Sequence, residues 1–160
     1  MTLQPPVSEH DHSAGSASAP LVLVEYGEYQ CLHIAAADPV VHSPQKALGK
    51  DLRFVFRNFL LAEMHTAAEL AAAFAAFAAF AAFAEGAAVQ GKFWQVHDAI
   101  FAWSRRNGPP SLGASALAAI AQTLSLSLGL LEADVGGHRY WERIKNRQLR
   151  HALGGAVRWL

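Results

Sequence analysis

The chain has 160 residues, 52% of them hydrophobic with alanine prominent, and its 13 basic and 13 acidic side chains leave no formal net charge. That length suits one domain with a substantial core, and the charge balance excludes a strong pull toward nucleic acid or an anionic membrane. A lone cysteine excludes an internal disulfide, hence a disulfide-stapled secreted scaffold, and leaves a thiol that is either a small buried hydrophobe or a reactive group.

The first twelve residues hold no basic segment followed by an apolar run. No signal peptide is read, and a cytoplasmic location is the expectation. Residues 1–20 are polar and small and read as an N-terminal arm leading into the first strand. Within it, His10-Asp11-His12 reads as solvated loop and not as a metal clip, because no further ligands sit at metal-site spacing. Residues 21–26, Leu-Val-Leu-Val-Glu-Tyr between Pro20 and Gly27, predict a buried strand in a sheet covered by helices. Glu25 interrupts that run, either as a partnered carboxylate near a site or as a strand-end residue facing solvent.

Residues 32–48 predict a helix with Ile34, Val40, Val41 and Leu48 as its apolar positions, kinked at Pro39 and interrupted at Pro44. Gly49-Lys50-Asp51 makes a turn, and residues 52–59 read as a second strand. Strand, helix and strand suggest a βαβ unit with a right-handed crossover. Cys31 falls at the carboxyl end of the first strand and at the start of the helix. Open α/β sheets build their sites at that edge, and the unpaired N–H groups of a helix start favour an anion such as a thiolate.

Residues 66–84 form an alanine-rich tract with Phe74, Phe77, Phe80 and Phe83 at every third position. A period of three slips about 60° per step on an α-helix, so the rings spread over half the circumference. The apolar run from Leu70 to Ala84 is short of the roughly 20 residues of a span. A buried or partner-contacting helix is expected instead. Glu85-Gly86 closes or loosens it. Residues 92–103 predict a helix with Phe93, Val96, Ile100 and Trp103 on one face, and residues 104–111 a loop. Ser111 or Ser115 caps a helix over 112–123. Residues 124–130 alternate like a strand, but their context favours a helix–loop–helix link. One or two helical turns follow to Val135. The last helix, 138–153, carries five basic residues and reads as a solvated face, not a nucleic-acid surface.

Thiol–disulfide exchange needs an accessible, stabilised thiolate. Cys31 has the position for one, and His33 adds a positive neighbour. The second position of a Cys-x-x-Cys motif is filled by Ile34, so a mixed disulfide formed here has no internal resolving thiol. No phosphate loop, nucleophile elbow or His-Glu-x-x-His motif competes, and the sequence names no metal or cofactor. His97-Asp98 resembles a base and its orienting group in composition only, and His97 reads as structural.

Asp11-His12, Gly15, Ala19-Pro20, Leu23 through Tyr29 and Cys31 resemble the opening of DsbA-like thioredoxin-fold proteins, above all the bacterial group also found fused to sodium/proton antiporters. The resemblance continues through Pro39-Val40-Val41, Leu52 through Phe59, His65, and Gln90-Gly91-Lys92-Phe93-Trp94 with His97-Asp98. It implies an α/β thioredoxin-like fold with a helical insertion: a strand–helix–strand half over 21–65 and the insertion over 66–153. It also implies thiol–disulfide oxidoreductase activity. Cys31 is then the attacking cysteine, and His33 matches a histidine that helps stabilise the thiolate in some members. The chain departs from that pattern at Leu32, where proline is common, and at Ile34. It also ends at Leu160, where the family's cis-proline segment would begin, so the C-terminal strands are expected to be missing. The expected partners are thiol or disulfide protein substrates and glutathione, with self-association through an open sheet edge. The alternative is a catalytically inactive interaction module that uses the Phe-rich helix and that edge.

Overall fold

The structure is a computed structural model describing residues 6–59, 67–108, 111–127 and 129–131, with backbone alone over 67–76. Its centre is β3 (Leu52–Asn58), whose Phe54, Val55 and Phe56 are buried along with Arg57 and Asn58. Full burial of each apolar side chain here contributes about 1.5–3 kcal/mol. Strand β2 (Leu21–Gly27) pairs parallel with β3, from Leu21 opposite Leu52 to Gly27 opposite Asn58. Helix α1 (Leu32–Leu48) and a tight turn at Gly49–Asp51 join the two strands, which is the βαβ unit the sequence predicts. On the other flank of β3, β1 (His12–Ala14) pairs antiparallel, so the order is β1-β3-β2.

The arm over 1–20 therefore contains a strand. Asp11 and His12 are not solvated loop either. Asp11 holds the buried Arg57 guanidinium through both carboxylate oxygens at 2.9 Å. His12 meets buried Glu85 at 3.0 Å and stacks on Phe93 at 3.6 Å. Local polarity hid these long-range contacts. Burial of β2 holds for its carboxyl half, where Leu23 to Tyr26 are half-buried and Gly27 is buried. Leu21 and Val22 remain 50% and 51% exposed, since β2 is an edge strand among the described residues.

Helix α1 runs unbroken through Pro39 and Pro44, contrary to the expected interruption. A proline frees the carbonyl four residues earlier. For Pro39 that carbonyl belongs to Ala35, and Arg105 donates to it at 3.4 Å. For Pro44 it belongs to Val40, a 69% exposed residue on the solvent side, where water can serve. That exposure also removes Val40 from the apolar positions assigned to the core, and Leu48 is exposed likewise.

Helix α2 (Ala67–Val89) passes through Glu85-Gly86 instead of stopping there. Phe77, Phe80 and Phe83 are all buried, so the spread of rings around the helix is met by packing on more than one side. Phe74 lies where only backbone is described. No helix among the described residues is long and apolar enough to cross a membrane. Helix α3 (Phe93–Asn107) buries Phe93, Val96 and Ile100 as predicted, and His97, Phe101 and Ser104 besides. It extends four residues beyond the expected start of the loop and ends at Gly108 in a left-handed conformation, φ 80°. Helix α4 (Ala114–Thr123) starts from Gly113, so neither Ser111 nor Ser115 caps it. The stretch after it is a turn, with Ser125 at φ 50° and Lys92 Nζ donating to the Leu124 carbonyl at 2.7 Å, and residues 129–131 are helical. The helix–loop–helix reading holds. His65, the basic helix over 138–153 and the expected loss of C-terminal strands fall outside the described residues.

Candidate active site and the polar layer beneath it

Cys31 is the N-cap residue of α1, in an extended conformation directly after β2 and its short turn. Its N–H donates to the Glu28 carbonyl at 3.2 Å, and its own carbonyl accepts from Ala35 N–H at 3.0 Å. The thiol makes no capping bond, and the residue is partly exposed. Gly27 allows this close strand-to-helix join. A Cβ placed there would lie 3.0 Å from Ile34 Cγ2. Ile34 is thus packed over the strand end, partly buried against the core. Leu32 and His33 face solvent in the same first turn. Both sequence-predicted site residues, Cys31 and His33, accordingly sit together at the start of α1.

Further along α1 the character changes. Asp38 is buried, and Arg105 of α3 donates to its Oδ2. His42, one turn on, has Nδ1 2.8 Å from the Asp38 carbonyl and Nε2 3.4 Å from Asp98 Oδ1. His97 lies opposite, 1% exposed, boxed by Phe56, Phe93, Trp94 and Phe101 at ring separations of 4.5–6.0 Å. Its Nδ1 shares a 3.4 Å hydrogen bond with Tyr29 Oη, and its Nε2 faces Asp38 Oδ1 at 4.0 Å.

Burial governs the ionisation of this layer. It pushes the Glu25 carboxyl up to about 7, with the Asp38 charge adding to the rise and His42 opposing it. It pulls His97 down to about 3, helped by the charges of His42 and His12, so the ring is neutral near pH 7. Asp98 is raised, first by burial and then by Asp38, against the pull of His42 and Arg105. Glu25 is half-buried, so the solvent-facing reading does not hold. Asp38, His97 and Asp98 could hold a metal ion, each offering one ligand atom within 4.8 Å of the others.

Sequence reasoning did not single out Asp38, His42 or Arg105. The available signal was spacing: Ala35, Asp38 and His42 follow one another down one helical face, as do Phe93, His97, Phe101 and Arg105.

No family model matches the chain. Over 103 residues it is 39% identical to the Na(+)/H(+) antiporter NhaA 1 of Mycobacterium sp. (strain KMS), which is 64% of this chain and 15% of that protein. It is 31% identical over 158 residues to the antiporter NhaA of Herminiimonas arsenicoxydans, 98% of this chain and 22% of that one. The chain therefore spans less than a quarter of these relatives' length.

Among solved structures it superposes on alpha-DsbA1 of Wolbachia pipientis with a TM-score of 0.67 at 18% identity, covering 95% of this chain and 73% of that one. A thioredoxin-like oxidoreductase from Silicibacter pomeroyi gives 0.66 at 19%, over 91% and 73%. The thiol-disulfide exchange protein alpha-DsbA2 of Wolbachia pipientis gives 0.66 at 15%, over 92% and 74%. The fold is thus of the thioredoxin class. More narrowly it is the DsbA-like form, with α2, α3 and α4 as the helical insertion after β3.

Proposed function

We propose that the chain performs thiol–disulfide exchange through Cys31 as a lone nucleophile. The observation that carries this reading is the placement of a partly exposed, uncapped thiol at the start of α1, where β2 of a DsbA-like sheet ends. The free N–H groups of that first turn supply positive potential, and His33 adds to it when protonated. The Cys31 thiolate attacks one sulfur of a substrate disulfide, the new sulfur–sulfur bond forms, and the other substrate sulfur leaves as a thiolate. With Ile34 in the place of a resolving cysteine, an external thiol such as glutathione attacks the mixed disulfide, takes the substrate sulfur into a new disulfide and returns Cys31 reduced. The substrates on this reading are protein thiols and disulfides, as befits a fold shared with a protein named for thiol–disulfide exchange. Incubation with oxidised glutathione followed by intact-mass analysis tests it. One glutathione per chain, absent in Cys31→Ser and released by excess reduced thiol, is expected. No adduct on the folded wild type overturns it.

The same reading includes self-association along β2, whose Leu21 and Val22 are half exposed at the edge of the sheet among the described residues. Sedimentation velocity checks this. A concentration-dependent shift to dimer is expected, and a sharp monomer at all concentrations contradicts it.

A further inference from the structure

The geometry points to a divalent transition-metal site between α1 and α3, ligated by Asp38 from the first helix and His97 and Asp98 from the second, with His42 holding the Asp98 carboxylate beside it. The donors come in a mixture that suits zinc, cobalt or nickel, one imidazole and two carboxylates, with water to complete the set. One ligand atom from each of Asp38, His97 and Asp98 lies within 4.8 Å of the others. His42 Nε2 is 3.4 Å from Asp98 Oδ1, and His97 Nε2 is 4.0 Å from Asp38 Oδ1. Two ligands about 2.1 Å from an ion at tetrahedral angles are separated by about 3.4 Å.

Each histidine is already held from behind. His42 Nδ1 donates to the Asp38 carbonyl, and His97 Nδ1 is bonded to Tyr29 Oη. A metal-bound histidine is commonly oriented in this way through its other nitrogen, which leaves the remaining lone pair for the ion. In both residues Nε2 is then directed at carboxylate oxygen. For His97, 1% exposed, Nε2 faces Asp38 Oδ1 at 4.0 Å, a spacing wider than a hydrogen bond.

Arg105 does not block the position. It occupies Asp38 Oδ2, and Oδ1 is the oxygen facing His97 Nε2 and, at 3.5 Å, His42 Nδ1. Charges also favour a cation: Asp38 and Asp98 contribute two negatives against the one positive of Arg105. Asp98 is 53% exposed and His42 34%, which gives the ion an entry and room for water ligands. An ion here would tie the helix bearing Cys31 to the first long helix that packs on it.

Cobalt(II) titration of the whole, untagged chain after chelator treatment tests the site. A saturable visible absorption band at one equivalent is expected, displaced by zinc, with a rise in melting temperature on metal addition. Asp98→Asn and His42→Gln, both at partly exposed positions and checked for wild-type circular dichroism, should each weaken binding about ten-fold or more. Cys31→Ser and His10→Gln should leave it unchanged. Absence of a one-equivalent band in the wild type overturns the site. So do wild-type affinity in both Asp98→Asn and His42→Gln, and loss of the band in Cys31→Ser.

Discussion

Helix α1 carries two regions of opposite construction. Its start presents the partly exposed Cys31 thiol, with Leu32 and His33 out in solvent beside it. Two turns later Asp38 and His42 are engaged by three side chains of α3, in a layer where every ionisable group is shifted or paired. A nucleophile needs access, which asks little of stability. A buried charge needs partners, because desolvation costs more than any one contact returns. Substitutions in the first region should therefore change chemistry and spare the fold, and those in the second should do the reverse.

The largest loss of stability is expected from Asp38→Ala. It strands the Arg105 guanidinium and removes the carboxylate that faces both histidines. Breaking one side of a buried pair costs roughly 3–5 kcal/mol, and Arg105 can turn partly to water, so about 3 kcal/mol is expected from urea denaturation. Cys31 should remain as reactive as before. Loss of its reactivity in a folded variant would join the two regions into one.

Glu25→Gln should act through pH. Between about 4.5 and 7 the native carboxyl keeps a proton that the unfolded chain has released, so this group's contribution to stability falls as pH rises. His97 works the other way. Between about 3 and 6.5 the unfolded ring is charged and the buried one is not, so stability rises with pH. In chelating buffer Glu25→Gln should gain on the wild type by about 3 kcal/mol from pH 4 to pH 8. A pH-independent difference would remove Glu25 from the buried layer.

Ile34→Cys is expected to cost about 1 kcal/mol, since it trims a side chain packed over Gly27. In exchange it supplies the resolving thiol. Thiol counting on the air-oxidised variant should find none free, and mixed disulfides should release without added thiol. Two persistent free thiols would mean that the helix start does not bring the sulfurs together. His33→Ala should change stability by less than about 0.5 kcal/mol, because the residue is exposed. Its effect is confined to a modest slowing of adduct formation.

The strand–helix–strand unit and Cys31 at its join were legible because they rest on local signals: an apolar run, a turn and a helix start within thirty residues. The polar layer was not. Asp38 sits in a stretch broken by two prolines, and its carboxylate finds Arg105 at a sequence separation of 67. Asp11 and His12 look like loop until Arg57 and Glu85 are seen beside them. The unbroken course of α1 through Pro39 likewise depends on the remote Arg105. Hydrophobic spacing announces which face is buried, but the partner of a buried charge is known only once distant segments are brought together. His97 is the intermediate case, read as structural from its place on a helix, with its aromatic box and its facing carboxylate added by the fold.

The account turns on Cys31 being activated by its place at the start of α1. The most direct measurement is its alkylation rate by iodoacetamide near pH 7 in the folded chain, against the same residue in the urea-unfolded chain. The account predicts a faster reaction in the folded state, abolished in Cys31→Ser. A folded-state rate equal to or below the unfolded one would contradict it.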